Sequence, residues 1–305
     1  MATKHWTPAG IADLTGKTTL VTGANSGIGL ETSRQLARHG ARVILAGRRQ
    51  RGLDEAVSTL RAENPNANLD TLFVDLGDLA SVRRAAGKIA GGETVDLLIN
   101  NAEIMNVPER RTTKDGFELT FGTNHLGHFA FILGVLPALR GATGARIVNV
   151  SAVAARWGRG KLVDLQSEKS YRGMTAYAKS KRANVVFTQE LNRHLADTGI
   201  DAVVVHPGAA MTGLQRETAM DNYLRRALVN LMEKVLMGSP EGAAWPTLYA
   251  ATNPAVKAGQ WIGPHSRRQD SGTPKVVSLP RGADDPSEGA SLWVESERLT
   301  GARLD

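Results

Sequence analysis

The sequence predicts an α/β protein: one domain built on a doubly wound parallel sheet. Three observations carry that expectation. Short apolar runs alternate with amphipathic helical stretches from Thr18 to Val205. The runs are apolar at nearly every position rather than at every second one, which marks strands buried on both faces. No linker rich in proline or glycine interrupts the alternation, so the helices must serve as right-handed crossovers within one sheet.

The elements follow in order. Thr18 to Thr22 reads as a strand, and Ile28 to Arg38 as a helix closed by His39-Gly40, with glycine just past the helix end. Arg42 to Ala46 is the second strand; Arg51 to Ala62 is a helix stopped by Asn64-Pro65. Leu69 to Val74 is a strand, Leu79 to Ala90 a helix, and Val95 to Asn100 the fourth strand. A helix from about Phe117 to Leu139, a strand Arg146 to Val150, a helix Ala176 to Ala196 and a strand Asp201 to Val205 complete the pattern. Met211 to Met237 reads as a helical insertion after the sixth strand, with an apolar stripe through Leu214, Tyr223, Leu224, Leu228, Leu231 and Met232. That stripe serves either core packing or a lid over a pocket. Gly263 to Glu288 is rich in glycine, proline and serine and reads as surface loop, and Ser291 to Leu299 as a short final helix.

Composition narrows the function. Of 305 residues, 42% are apolar and 22% charged, which suits a globular fold rather than a disordered chain. There is no cysteine, so disulfides, thiolate catalysis and thiolate metal sites are excluded. The net charge of +7 is spread over scattered arginine pairs with only 5% aromatic residues, which argues against a nucleic-acid surface. The longest apolar stretch, Phe129 to Leu139, is too short to span a bilayer, and the first residues lack the apolar core of a signal peptide. The expectation is a cytoplasmic protein acting on a small molecule without membrane or nucleic acid.

The first strand runs into Thr22-Gly23-Ala24-Asn25-Ser26-Gly27-Ile28-Gly29, a Gly-x-x-x-Gly-x-Gly turn opening a helix. Glycines let the backbone turn tightly and approach a pyrophosphate, while the helix start offers unpaired N–H groups and a positive dipole end. The second strand ends Ala46-Gly47-Arg48-Arg49, where a site for an unphosphorylated ribose would carry a carboxylate. Guanidinium groups there suit a 2′-phosphate, so NADP(H) is expected over NAD(H), although arginines also suit a solvated helix start. Asp75 would accept from the adenine amino group or cap the next helix.

Tyr177 and Lys181 lie four apart on a helix and share one face. An ammonium beside a phenol favours the phenolate and is expected to lower its pKa, which equips the tyrosine to exchange a proton with a carbonyl or alcohol. His125 and His128, three apart, could ligate a metal in principle; no accompanying ligand motif supports one, and no metal is expected.

Taken together, these motifs resemble the short-chain dehydrogenase/reductase family. The resemblance runs through the glycine turn, Asp75, Asn100-Asn101-Ala102, Asn124 in Thr-Asn-His-Leu-Gly-His, Arg146 to Ser151, Tyr177-Ala-Lys-Ser-Lys181, and Pro207-Gly208 followed by Thr212. Leu165 to Lys169 and Leu292 to Thr300 are most similar to the branch with retinol-dehydrogenase-like and protochlorophyllide-reductase-like members. It implies a Rossmann fold, a homo-oligomer, and cofactor contacts at Gly23, Asn25, Ser26, Gly27, Ile28, Gly29, Arg48, Arg49, Asp75, Leu76, Asn101, Ala102, Pro207, Gly208 and Thr212. It further implies that Lys181 holds the nicotinamide ribose, that Asn124 holds a relay water, and that Thr212 bonds the carboxamide.

Two positions depart from that pattern. The catalytic serine position holds Ala152, preceded by Ser151, whose side chain should face away from the pocket because neighbours on a strand alternate. A local bulge would be needed to redirect it. The glycine after Asn101-Ala102 is replaced by Glu103, which either points outward or acts as an acid/base or hydroxyl-binding group. The leading expectation is an NADP(H)-dependent oxidoreductase acting on a carbonyl or alcohol of an apolar, moderately large substrate. The alternatives are a non-redox enzyme on the same scaffold (a dehydration, isomerisation, epimerisation or cyclisation) and a cofactor-binding protein with little catalysis.

Overall fold

The computed structural model describes residues 6–157, 162–208, 240–265 and 272–304. Its centre is an eight-stranded sheet in the order β3-β2-β1-β4-β5-β6-β7-β8. The strands are β1 Thr18–Thr22, β2 Arg42–Gly47, β3 Leu69–Phe73, β4 Leu97–Asn100, β5 Arg146–Val150, β6 Asp201–Val205, β7 Trp261–Pro264 and β8 Pro274–Val277. The first seven are parallel; β8 returns antiparallel against β7.

Side chains alternate across the sheet into two cores. Leu20, Ile44, Leu98, Ile147 and Val204 point to one face, beneath α3 (Leu79–Ala90), α4 (Leu119–Arg140), α5 (Gly173–His194) and α7 (Pro286–Thr300). Val21, Val43, Ile99, Val148 and Val203 point to the other, beneath α1 (Gly27–Arg38), α2 (Gln50–Glu63) and α6 (Pro240–Thr252). This two-sided burial is why the strands read as unbroken apolar runs. The predicted doubly wound parallel sheet is therefore present.

Local chemistry sets several boundaries. Asp78 caps α3 by accepting from Ala80 N at 2.9 Å and Ser81 N at 3.2 Å. Asp285 caps α7 by accepting from Ser287 N, with Pro286 at the first helical position. α4 is one run with a π-turn at Gly122–Leu126, the kind of local irregularity that often marks a functional site. By length and composition α4 could cross a membrane, and 89% of its apolar window is buried inside the fold.

One expectation needs correction. The stretch from Gly263 to Glu288 is not all surface loop, since it contains the second half of β7, all of β8 and the start of α7. β7 escaped the pattern because it is short and carries a glycine. A Cβ at Gly263 would fall 2.1 Å from His206 Nε2, so the strand needs that glycine to lie against β6. α6, which packs against α1, also gave no clear signal in the sequence. The expected insertion at Met211 to Met237 lies outside the described residues.

The chain fills one half of the sheet with β1 to β3, then crosses to β4 and fills the other half. The reversal falls between β1 and β4, and doubly wound sheets bind ligands at the carboxyl ends of the strands flanking such a point.

Candidate active site

At that point the turn after β1 meets the segment after β4. Thr22 organises the junction: its hydroxyl accepts from Asn101 N at 2.9 Å and Ala102 N at 3.0 Å. It lies 3.0 Å from His128 Nε2, while His128 Nδ1 lies 3.2 Å from the Asn124 carbonyl. The carbonyl needs a donor, so Nδ1 carries the proton and the Thr22 hydroxyl donates to Nε2. Burial holds the His128 pKa down to about 3, so the ring stays neutral.

The glycines serve the protein as well as any phosphate. A Cβ at Gly29 would sit 2.3 Å from the Gly23 carbonyl oxygen and 2.6 Å from Asn101 Nδ2; one at Gly23 would sit 2.9 Å from Ala102 Cα. Gly23 and Gly27 also have positive φ, 67° and 56°, which favours glycine. Ser26 precedes α1 without a side-chain cap, and no acidic residue occupies the first turn. Asn25 lies beside Gly47 and Gly52, under the end of β2, and Ile28 is buried.

Tyr177 and Lys181 stand on α5, both buried. The start of that helix is seated closely, since a Cβ at Gly173 would meet the Val107 carbonyl oxygen at 2.4 Å. Lys181 Nζ donates to the Val150 carbonyl at 2.9 Å and lies 5.7 Å from the Tyr177 ring centroid. The structure brings Glu103 to both: it forms an ion pair with Lys181 and accepts from Tyr177 Oη at 3.3 Å. Lys181 is 1% exposed and Glu103 15%, so the carboxylate covers the ammonium.

This overturns the expectation of a lowered phenol pKa. Burial first, then the negative charge of Glu103, then the hydrogen bond to it push Tyr177 well above its ordinary value. The Lys181 charge is already matched by Glu103 and cannot act alone on the phenol. The outward-pointing orientation considered for Glu103 is likewise not the one adopted.

Asn124, in the π-turn, turns its side chain to neighbouring protein groups. Its Oδ1 accepts from Ile104 N at 2.8 Å; its Nδ2 donates to the Ile104 carbonyl at 2.9 Å and to Ser180 Oγ at 3.1 Å. Ala152 follows β5 and packs beside the cluster of Ala154, Tyr177 and Ala178, together with Met105. Ser151 turns away, donating to the Lys181 carbonyl at 2.7 Å. Asp75 accepts from Gly77 N at 2.9 Å and does not cap α3, a task taken by Asp78. Leu76 is buried with its carbonyl against Gly127. Arg48 and Arg49 are exposed after β2, and neighbouring Arg51 pairs with Glu55 at 2.8 Å. Pro207 and Gly208 follow β6, also at the carboxyl edge, whereas Thr212 lies outside the described residues.

The glycine turn, the Asn101-Ala102 segment and a buried Tyr-x-x-x-Lys pair thus share one sheet edge. The family model described as short chain dehydrogenase matches residues 17–222. The chain belongs to the short-chain dehydrogenase family. It is 43% identical over 293 residues to retinol dehydrogenase 12 of Homo sapiens, covering 96% of this chain and 89% of that protein. Among solved structures, an uncharacterized protein from Mycobacterium Paratuberculosis superposes with a TM-score of 0.81 at 37% identity, covering 99% of this chain and all of the other. The Pseudomonas aeruginosa RhlG/NADP active-site complex gives a TM-score of 0.64 at 26% identity, covering 82% of this chain and 94% of that one.

The residues present suit the dinucleotide that the short-chain dehydrogenase fold implies. The helix start opposite the glycines is not occupied by a side-chain cap or an acidic group, which leaves its N–H groups for phosphate oxygens. Beyond residues 101–102, Glu103 stands on Lys181.

Sequence reasoning missed several supports of this short-chain dehydrogenase site. Thr22 and His128 anchor residues 101–102, and the spacing of His128 from His125 gives no hint of that role. Asn184 Nδ2 donates to the Asn124 carbonyl at 3.1 Å, and His125 links Asn184 Oδ1 at 3.3 Å to Ser296 Oγ at 3.0 Å on α7. Arg182, beside Lys181, forms a buried ion pair with Glu288 at 2.9 Å, and Glu288 accepts from Leu162 N at 2.7 Å. An arginine next to Lys181 on a helix packed into the core is the available signal, because a charge carried inward must find a partner.

Proposed function

We propose that the chain is an NADP(H)-dependent short-chain oxidoreductase that interconverts a carbonyl and an alcohol on an apolar, moderately large substrate. The observation that carries this reading is the shared sheet edge, with an uncapped glycine turn on one side of residues 101–103 and Tyr177 with Lys181 on the other. The preference for a phosphorylated ribose is supported by exposed Arg48 and Arg49 directly after β2, where no carboxylate stands. It is also supported by the relative solved with NADP. The apolar substrate is supported by Met105, Ala152, Ala154 and Ala178 around Tyr177 and by the retinol dehydrogenase name of a close relative.

When bound, the nicotinamide supplies or accepts the hydride. Tyr177 Oη holds the proton that a substrate oxygen would take, and burial, the first cause of its raised pKa, keeps the phenol protonated. The test is loss of NADPH absorbance against a panel of apolar aldehydes and ketones. Tyr177→Phe should lose at least about 10²-fold in turnover, and a variant as active as the wild type would overturn the assignment.

A second reading keeps the nucleotide but not net redox chemistry. It is favoured by the Glu103 carboxylate on the Tyr177 hydroxyl and by the absence of a hydroxyl at Ala152. Product formation with the cofactor's redox state unchanged would decide for it.

A further inference from the structure

Residue 103 is fixed in space by its neighbours. On one side, Asn101 N and Ala102 N are held by Thr22; on the other, both polar groups of the Ile104 backbone are held by Asn124. With the chain pinned on either side, the side-chain torsions are the main freedom Glu103 retains. Ala102 lies against Gly23, and Glu103 lies against Tyr177 and Lys181. A ligand running from the glycine turn to the tyrosine must therefore pass residue 103.

Lys181 has little room for another partner. One N–H goes to the Val150 carbonyl, Glu103 takes a second, and the ammonium is 1% exposed. A buried cation tolerates loss of its counter-ion only if other oxygens replace it. The hydroxyls of a ribose can do so. A ligand without that sugar cannot.

We propose that Glu103 is an internal competitor for Lys181, occupying the face of the ammonium that a nicotinamide ribose would use, so that the dinucleotide docks fully only when the Glu103 side chain rotates away. This rests on the nucleotide-binding reading above. The apparent affinity is then the intrinsic one reduced by the fraction of molecules with Lys181 uncovered. The adenosine half, held by the glycine turn and β2, does not feel the competition.

Calorimetry on the full chain with two probes tests this: NADPH, and adenosine 2′,5′-bisphosphate, which lacks the nicotinamide ribose. The variants are Glu103→Gly and Glu103→Gln; the second keeps the side-chain size should the first disturb the fold. Both should bind NADPH at least about tenfold more tightly than the wild type, with affinity for the bisphosphate unchanged. NADPH affinity equal to or weaker than wild type in both variants, with the bisphosphate still binding, would overturn the competitor role alone. Wild-type and variant proteins that bind neither probe would overturn the nucleotide reading and this inference with it.

Discussion

The Asn124 side chain closes on both polar groups of the Ile104 backbone, accepting the N–H at 2.8 Å and donating to the carbonyl at 2.9 Å. The amide acts as a strand partner would, on a chain segment that has no strand beside it. Because the same Nδ2 also reaches Ser180 Oγ, α4, α5 and the segment after β4 meet at one residue. Asn124→Ala removes three hydrogen bonds at a fully buried position. At roughly 1 kcal/mol each, a loss of about 3 kcal/mol is expected. Thermal melting should fall by several degrees, and a melting temperature equal to the wild type's would show that these bonds add nothing to stability.

The arginines after β2 make a separate expectation. Replacing Arg48 and Arg49 together by alanine should weaken NADPH binding by about 10- to 100-fold, as expected when charge-assisted bonds to a phosphate are removed. NADH binding should stay within about twofold, since that ligand offers no 2′-phosphate. Titration of both nucleotides against both proteins measures the ratio; an unchanged ratio would assign the arginines to solvated surface.

Ala152→Ser restores a hydroxyl beside Tyr177 at a position where Ser151 cannot help, being bonded to the Lys181 carbonyl. Supplying one hydrogen-bond donor to a developing oxyanion typically gives about 10²–10³ in rate. Steady-state carbonyl reduction should rise accordingly with the fold unchanged by circular dichroism. An unchanged rate would place the limit at Glu103 and favour the non-redox reading.

Acid should loosen the core through its histidines. Burial lowers the pKa of His128 to about 3 and of His125 to about 4, against 6.5 in the open chain. The sign follows directly: below pH 6.5 the unfolded chain takes up protons that the folded one refuses. The stabilisation is whole above 6.5 and is lost as pH falls toward those folded values. Each group costs about 1.4 kcal/mol per pH unit within its window. His128→Gln keeps a donor and an acceptor at the site. Its denaturation midpoint between pH 6.5 and 4 should vary less steeply than that of the wild type. Equal slopes would remove His128 from the acid response.

Much of this molecule can be read from its residues, and the parts that cannot share a cause. Leu79–Ala90, Arg146–Val150 and Asp201–Val205 begin and end where periodicity places them, because their signals are local: a capping aspartate, or an apolar run between polar ends. β8 and α6 depend on packing against distant strands and helices and carry no such signal. The same division holds at the site. Tyr177 and Lys181 share a face by helical geometry alone. The position of Glu103 is visible as an oddity beside Ala102, yet its contact with both follows from Thr22, Asn124 and the irregular chain between them. Burial, reinforced by that contact, reverses the direction expected for the phenol, so a reading confined to the Tyr-Lys pair misjudges its charge.

The cradle after β1 and the segment bearing Glu103 touch through Gly23, Gly29 and the Asn101 side-chain amide, which donates to the Thr22 carbonyl. Residue 103 itself takes no part in that fit. Natural selection could therefore exchange the group presented to the reacting centre while leaving the nucleotide's berth intact, giving one scaffold access to different chemistries by a single codon change.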